Sequence, residues 1–454
     1  MDSFNHFLPW TLKRVKQIAP ETWELLLLPS QNVEQDQIIP VTNLIVLLYK
    51  KLHGDVDLTT FSKRAGLISW FNHYGRSIYN IDELEKILFS ETNAPPKLKP
   101  GGVNLIGYNR GQLGLGEDIR GYAALLDKMK VDYSIVHIGH PTDDPINYTH
   151  PKEGPPIFDR SLFFLNAIEL EKLVKLYNNF DSTFGRAIAV PPWELDKAPK
   201  EWFYILSHFE EVWGISNFVT HALEEVHHST IYSAPIVLPP VIREMHSNES
   251  NKPFRFLFIF DAGSFIERKN PLAVVKAFQS AFSRYENVEL VIKVSNRSIS
   301  PHWNEVEQKA ASDRRIKLVR GLITEEELCQ LWGTANCYVS LHRCEGFGRT
   351  IADAVLRKLP VIATNYSGST DLFPEGYELL VDYTLVPIEV GQYPLANEAE
   401  WASVSIEDAA KKMKFVYENR CTSALSETVL LAYEHVQQKF GLDNQHRPLK
   451  KWLL

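Results

Sequence analysis

A glycine turn between two apolar runs, in residues 338–364, constrains the fold of this chain more than any other segment. Tyr338-Val-Ser-Leu341 has the composition of a buried strand, and so does Pro360-Val-Ile-Ala-Thr364. Between them, Gly346 and Gly348 form a turn that is followed by a helix-like run. The order strand, turn, helix, strand is typical of a βα unit and predicts a parallel sheet.

Two carboxylates flank this turn, Glu345 and Asp353, eight positions apart in the sequence. The spacing places Glu345 in the turn and Asp353 about two turns into the following helix. Gly346 and Gly348 let backbone amides approach a bound molecule closely, and the start of the helix adds partial positive charge. A phosphate group at this helix start, with an acid on either side to bind hydroxyl groups, describes a sugar nucleotide.

A pair of basic residues, Arg268 and Lys269, follows a second strand-like run at 254–260. Asn270 and Pro271 predict the N-cap and first position of a helix, and an apolar face follows at helical spacing: Leu272, Val275, Phe278, Phe282 and Tyr285. The two cations would then precede a helix N-terminus, where free amides and positive charge bind an anion. Taken alone they would be solvated loop charges, but together with Glu345 they favour a phosphate site.

The segment containing Glu345 and Asp353 resembles the Glu-x7-Glu motif of the retaining glycosyltransferases of family four, with Asp353 in place of the second glutamate. Residues 260–271 resemble the diphosphate-binding loop of that family, and residues 104–120 the glycine loop of its first domain. Three further segments are similar to bacterial members, at 192–195, 211–218 and 401–413. The resemblance implies the GT-B fold: an α/β protein with two Rossmann-like domains facing a cleft.

The same resemblance implies the roles of individual residues. Glu345 would contact the donor sugar and Asp353 the ribose hydroxyls. We expect Glu345, Lys269 and Arg268 to act in catalysis, with negative charge on the leaving diphosphate stabilised by the two cations and by backbone amides, without a metal ion. The expected donor-binding residues are Gly114, Gly116, Gly346, Phe347, Gly348, Asp353 and Lys293.

Three residues of the expected first domain are candidates for contacts with the acceptor, in descending order Glu194, His137 and Asn166. Glu194 lies between Trp193 and Leu195, where a structural salt bridge is an equally good interpretation. His137 ends a predicted strand, so a hydrogen-bonded core histidine is nearly as good an interpretation there.

The resemblance therefore implies transfer of a sugar from a UDP- or GDP-linked donor to a hydroxyl acceptor such as a glycan, with retention at the anomeric carbon. Bacterial polysaccharide biosynthesis is the implied context, and the donor is the only small molecule required. The alternative is a GT-B protein that binds a sugar nucleotide or glycan as a scaffold, which the aspartate at position 353 favours. An epimerase or a phosphorylase on the same fold is a third interpretation.

Length and charge set the broad organisation. A chain of 454 residues exceeds a single core, and we predict three parts: a helical extension at 1–98, a first Rossmann-like domain at 99–250, and a nucleotide-sugar-binding domain with C-terminal helices at 251–454. A net charge of -8 argues against a nucleic-acid partner. The first residues lack the basic and apolar regions expected of a signal peptide, and no run of eighteen apolar residues occurs in the sequence. These patterns predict a cytoplasmic protein, with peripheral membrane contact left open.

Several patterns are set aside or left unassigned. Asp55-Val-Asp57 favours a turn with helix capping over a metal-binding motif, and His227-His228 favours a helix surface. Gly114 and Gly116 are a weak dinucleotide motif because the third glycine is misplaced. Thr324 and Glu327 predict a capping box. The four cysteines form no CxxC pair and are expected to be reduced, and the segments 295–313 and 384–400 show no periodicity.

Overall fold

The computed structural model describes residues 43–53, 67, 98–111, 113–138, 150–176, 180–227, 229–232, 236–238, 252–295, 301–321, 323–389, 391–396, 398–442 and 449. Most of the predicted helical extension lies outside these residues, as do Asp55, Asp57 and His228. The chain divides into two compact units, one formed by 1–119 with 132–187 and the other by 120–131 with 188–454. The domain limits at 98 and 250 stay predictions.

Strands and helices alternate in the N-terminal half of the chain. The strands are β1 (Gly102–Gly107), β2 (Asp132–His137), β3 (Arg160–Phe164), β4 (Arg186–Ala189), β5 (Glu211–Gly214) and β6 (Thr230–Tyr232). The helices are α1 (Asn43–His53), α2 (Gly114–Met129), α3 (Ala167–Leu176), α4 (Phe180–Phe184), α5 (Trp202–Leu206) and α6 (Asn217–Glu224). In the first unit β1 pairs in parallel with β2 and β3, and in the second unit β5 pairs in parallel with β4 and β6. These pairings confirm the predicted parallel βα pattern.

A six-stranded sheet forms the core of the C-terminal half. Its strands are β7 (Phe254–Asp261), β8 (Val288–Ser295), β9 (Ile316–Arg320), β10 (Cys337–Ser340), β11 (Val361–Thr364) and β12 (Leu380–Val381). Their order is β12-β11-β10-β7-β8-β9, and the pairings are parallel. Read from β9, this is the doubly wound Rossmann order, in which the chain switches direction between β7 and β10. Ligands of such sheets bind beyond the carboxyl ends of the strands at that switch point.

Helices and one hairpin complete this half of the chain. The helices are α7 (Ile266–Lys269), α8 (Pro271–Ala281), α9 (Pro301–Ser312), α10 (Glu325–Thr334), α11 (Arg349–Leu356), α12 (Ile406–Glu418) and α13 (Ser423–Phe440). An antiparallel pair, β13 (Tyr383–Pro387) and β14 (Glu400–Val404), follows the sheet. Short 3-10 turns lie at Ala262–Ser264 and Gly368–Leu372. No helix among the described residues is long and apolar enough to cross a bilayer.

Several local predictions are confirmed. Apolar runs near 254–260, 288–294, 316–319, 337–341 and 360–364 predict five strands, because buried parallel strands appear in sequence as continuous apolar runs. The structure has β7 to β11 at these places. The capping box of α10 forms, with the Glu327 amide donating to Thr324 Oγ1 over 3.1 Å and the Thr324 amide donating to Glu327 Oε2 over 2.8 Å. The four cysteines are free thiols, with Cys337 and Cys344 buried and the other two exposed.

Other local predictions are wrong. The resemblance of residues 104–120 to a glycine loop predicts that Gly114 and Gly116 precede a helix that starts near Glu117. Helix α2 begins at Gly114 instead, so both glycines lie in its first turn. Helix α8 ends at Ala281, and Tyr285 beyond it is 99% exposed although the rest of the predicted apolar face is buried. Asn270 and Pro271 do occupy the predicted N-cap and first position of α8, but Asn270 makes no side-chain cap. Its backbone is left-handed, with φ of 53°, and its amide side chain donates to the Leu341 carbonyl over 2.9 Å.

Candidate active site

Glu345 lies between two cations just beyond the carboxyl end of β10. Its Oε2 atom is 2.9 Å from Nη1 of Arg268, and its Oε1 atom accepts a short hydrogen bond from Nζ of Lys269. The cations belong to α7, which follows β7, the strand next to β10. The three residues that the sequence predicted to act together are therefore brought together at the switch point of the sheet.

Backbone contacts fix α7 against the segment after β10. The Arg343 amide donates to the Arg268 carbonyl over 2.8 Å, and Nη1 of Arg268 donates to the Cys344 carbonyl over 2.9 Å. The bond from Asn270 to Leu341 makes a third link. These bonds place both cations before a carboxylate that lies 76 residues beyond Lys269 in the chain.

Glycines allow the Glu345 turn to pack closely. A Cβ on Gly346 would lie 2.4 Å from the Trp193 carbonyl oxygen, and a Cβ on Gly368 would lie 1.9 Å from the Gly346 carbonyl oxygen. Gly348, with φ of 89°, adopts a left-handed conformation directly before α11. The Glu345 amide donates to Ser367 Oγ over 2.8 Å, so its backbone is held as firmly as its side chain.

Charge pairing keeps Glu345 ionised. Burial raises the pKa of its carboxyl, but attraction to Arg268 and Lys269 outweighs burial and holds the pKa well below the usual range. Burial and repulsion by Arg268 lower the pKa of Lys269, and the neighbouring Glu345 carboxylate partly offsets them. The site therefore presents a fixed carboxylate between two cations, an arrangement that can stabilise charge of either sign as it develops.

A second carboxylate contacts the same guanidinium. Oε1 of Glu194 lies 3.8 Å from Nη2 of Arg268, and Oε2 of Glu194 accepts a hydrogen bond of 2.5 Å from the Tyr393 hydroxyl. The Glu194 carbonyl accepts a short hydrogen bond from the Cys344 thiol. Glu194, the first acceptor candidate from the sequence, therefore contacts Arg268, and this contact is the salt bridge that the sequence left as the other interpretation.

Sequence reasoning missed His342, which is fully buried between β10 and Glu345. Its Nδ1 lies 3.1 Å from Ser340 Oγ and its Nε2 lies 2.9 Å from Ser369 Oγ. Burial lowers the pKa of His342 to about 4, so the ring is neutral near pH 7. Its position directly after an apolar strand and three residues before Glu345 is the only signal in the sequence that could have identified it.

The other predicted donor residues have varied surroundings. Asp353 is the fifth residue of α11, hence little more than one turn into the helix; it is 42% exposed in its side chain, with Oδ1 3.7 Å from Nη1 of Arg357. Phe347 is buried, and its ring packs edge-on against Phe440 with centroids 5.1 Å apart. Lys293 is buried near the end of β8, where its Nζ donates a short hydrogen bond to Ser295 Oγ. Burial lowers the pKa of Lys293.

The remaining candidates lie in the first compact unit. Gly114 and Gly116 are in the first turn of α2, which follows β1. His137 is the last residue of β2 and is half-buried. Asn166 caps α3, because its Oδ1 accepts from the Glu169 amide over 3.0 Å. The described residues contain no group of three or more His, Cys, Asp or Glu placed to hold a metal ion, and the expectation of metal-free catalysis stays a prediction.

Comparisons with known proteins bear on this site and fold. Residues 242–384, which include Arg268, Lys269 and Glu345, match the protein-family model described as "Glycosyl transferases group 1". No curated protein sequence matches the chain.

Three solved structures show similarity to this chain. Sucrose-phosphate synthase from Thermosynechococcus elongatus is 14% identical over 78% of this chain and 98% of that protein, with a TM-score of 0.56. Anabaena HepE in complex with UDP and glucose is 11% identical over 78% and 99%, with a TM-score of 0.54. TarM from S. aureus, in complex with Fondaparinux, alpha-GlcNAc-glycerol and UDP, is 13% identical over 64% of this chain, with a TM-score of 0.46; the chain spans about half of TarM, 55% of its length. Residues 242–384 therefore match a glycosyl transferase family, and the likeness to sucrose-phosphate synthase and HepE shows that the chain has the GT-B fold.

Proposed function

We propose that this protein is a glycosyltransferase that moves a sugar from a nucleoside diphosphate sugar to a hydroxyl group of a glycan, with retention at the anomeric carbon. The observation that carries the proposal is the ionised Glu345 held between Arg268 and Lys269. It lies at the switch point of a doubly wound sheet, within the segment that matches the group 1 family. A carboxylate is suited to a donor sugar that gains positive charge, and cations to a diphosphate that gains negative charge.

A UDP-linked donor is favoured over a GDP-linked one by the likeness to Anabaena HepE, whose structure holds UDP and glucose. The fold of the second compact unit supports a nucleotide there, since the order of its sheet is that of nucleotide-binding Rossmann domains. We propose that residues 251–454 bind this donor, with Asp353 near the ribose. Its carboxylate on α11 is only partly buried, so it can reach a hydroxyl group.

The proposed chemistry requires stabilisation of the leaving diphosphate. Lys269 is 17% exposed in its side chain and so can be reached by a ligand. The first amides of α11, after Gly348, add partial positive charge at the same end of the sheet. Each such contact lowers a barrier by about 2–4 kcal/mol when it is made only in the transition state. Glu345 meanwhile faces the sugar, where it offsets oxocarbenium-like charge.

The acceptor side is proposed to come from residues 99–250, with His137 and Asn166 as the candidates, because Glu194 contacts Arg268 and Tyr393 instead. His137 ends β2, and carboxyl ends of parallel strands are where ligands bind in such sheets. Asn166 already uses its Oδ1 to cap α3, which leaves its amide nitrogen as the group for an acceptor hydroxyl. We propose polysaccharide or oligosaccharide assembly as the setting.

A donor screen tests the proposal. The full chain is incubated with UDP- and GDP-sugars, with and without glycan acceptors, while release of nucleoside diphosphate is followed; the anomeric configuration of any product is read by NMR. Acceptor-dependent release with a retained configuration is the expected result. Tight binding of a sugar nucleotide without release would replace the proposal by the scaffold interpretation, and an inverted product would remove retention.

A further inference from the structure

We infer that Glu194 and Tyr393 are positioning residues of this site: together they anchor Arg268, so that Arg268 orients Glu345 and Lys269 is the cation that meets the diphosphate. The inference rests on the proposed function and assigns two residues of the second compact unit a role in it. It also moves Glu194 from the acceptor to the donor side.

The buried side chain of Arg268 links several groups of the site. Its side chain is 2% exposed, whereas that of Lys269 is 17% exposed. Its Nη1 contacts both the Cys344 carbonyl and Glu345 Oε2 at 2.9 Å, and its Nη2 faces Glu194. A guanidinium so deeply buried requires fixed opposite charge, because a buried charge without partners is strongly destabilising. Its orientation is therefore set by the two carboxylates around it.

Tyr393 sets the position of the second carboxylate. Its hydroxyl donates to Glu194 Oε2 over 2.5 Å, and burial, followed by the negative charge of Glu194, raises its pKa so that it stays a donor. The Tyr393 ring is 8% exposed and packs against Phe265 and Trp193, with centroids 4.7 Å and 5.9 Å apart. Phe265 immediately precedes α7, so the ring contacts reach the helix that carries both cations.

Charge balance then separates the roles of the two cations. Two carboxylates, Glu194 and Glu345, face two cations, Arg268 and Lys269. A diphosphate adds negative charge, so one cation must turn part of its interaction toward the ligand. Arg268 is bound on both sides and buried, whereas Lys269 has one carboxylate partner and exposed surface. Lys269 is the group that can exchange partners.

This arrangement predicts opposite effects on binding and turnover. Glu194→Gln removes a negative charge near the diphosphate, so UDP affinity should rise by about fivefold. The same change loosens Arg268 and with it Glu345, so kcat should fall by about tenfold or more, since small displacements of catalytic groups are costly. Tyr393→Phe keeps every charge, so UDP affinity should stay within about twofold of wild type while kcat falls by about tenfold.

The test measures three quantities on the full chain: the Kd of UDP by calorimetry, kcat, and the KM of the glycan acceptor that supports transfer in the screen described above. Glu407→Gln and Tyr285→Phe are the matched controls. Glu407 is 80% exposed in its side chain on α12, and Tyr285 is 99% exposed. Both controls should match wild type in all three quantities.

Each outcome bears on the inference. Tighter UDP binding with lower kcat in Glu194→Gln, and lower kcat alone in Tyr393→Phe, supports it. A raised acceptor KM in Glu194→Gln with unchanged UDP affinity would overturn it in favour of an acceptor contact, and wild-type kinetics in Tyr393→Phe would overturn it as well. If the wild-type protein binds no UDP or GDP, the proposed function fails first, and the inference is overturned with it.

Discussion

Nη1 of Arg268 and Oε2 of Glu345 lie 2.9 Å apart in the interior, each largely removed from solvent. Glu345→Gln keeps the volume of the side chain but leaves Arg268 with less opposite charge. We expect transfer to fall by at least about 100-fold, as for the loss of one transition-state contact, and the free energy of unfolding to fall by about 3 kcal/mol. Initial rates and urea denaturation measure the two effects. An unchanged rate would remove Glu345 from the mechanism.

Lys269→Ala should separate catalysis from stability. Glu345 keeps Arg268 as its partner in this variant, and Lys269 is partly exposed, so we expect a melting temperature near that of wild type. Transfer should nevertheless be almost abolished, because the diphosphate loses its mobile cation. Lys411→Ala, on the exposed face of α12, is the control. Transfer at the wild-type rate in the Lys269 variant would contradict its role.

Asp353→Ala should mainly raise the KM of the donor. Its carboxylate is 42% exposed and lies 3.7 Å from Arg357, a contact that contributes at most about 1 kcal/mol. Stability should therefore change little, while loss of a ribose contact weakens donor binding by about tenfold. Asp353→Glu, which introduces the residue that the Glu-x7-Glu motif has at this position, should keep or improve the KM. A large fall in kcat with unchanged donor binding would argue against a ribose contact.

Gly346→Ala should disrupt the Glu345 turn. The added Cβ would lie 2.4 Å from the Trp193 carbonyl oxygen, a backbone atom that cannot rotate away. We expect a loss of about 2 kcal/mol or more in the free energy of unfolding, as in overpacked interiors, together with lower transfer. Gly154→Ala is the control, because its Cβ would have Ser134 Oγ as its nearest neighbour at 4.0 Å. Equal melting temperatures for the two variants would contradict the close approach.

His342 should make stability depend on pH. Burial lowers its pKa to about 4 from 6.5, so the folded protein favours the neutral ring. The unfolded chain takes up a proton below about pH 6.5 and the folded protein only near pH 4, so this stabilisation is complete above pH 6.5 and is lost as pH falls toward 4. Between about pH 7.5 and about pH 5 the loss should be about 2 kcal/mol.

Urea denaturation at those two pH values measures this contribution. His342→Asn should reduce the difference between them by about 2 kcal/mol, whereas His208→Gln, at an exposed position, should leave it unchanged. Burial also lowers the pKa of His435, so part of the pH dependence should persist in the His342 variant. If the His342→Asn variant kept the full difference in unfolding free energy between the two pH values, the imidazole of His342 would not resist protonation in the folded state.

Apolar continuity explains why the sheet could be predicted. Strand β7 is buried along almost its whole length, and a parallel strand covered on both faces needs an unbroken apolar run. The sequence of helix α9 shows no helical period, because only Trp303 and Val306 of its twelve residues are buried. Tyr285 was assigned to a helix face because its spacing fits, although α8 ends four residues earlier.

The site was predictable in its members and not in its internal contacts. Glu345, Arg268 and Lys269 stand out because charged residues follow apolar strands and precede helix starts. The sequence suggested that the cations face a phosphate, whereas the structure pairs both with Glu345, because buried charges require opposite charges beside them. Tyr393 lies 199 residues from Glu194 in a segment without periodicity, and no local pattern could indicate that contact.

The Cys344 thiol is buried and donates a hydrogen bond to the Glu194 carbonyl, so its rate of alkylation reports on the opening of this turn. Alkylating reagents attack thiolates that they can reach, so Cys329 and Cys421 should be labelled at once. Labelling of Cys344 must await separation of its segment from the Glu194 backbone, and the rate of that slow modification would time the opening of the turn in the native protein.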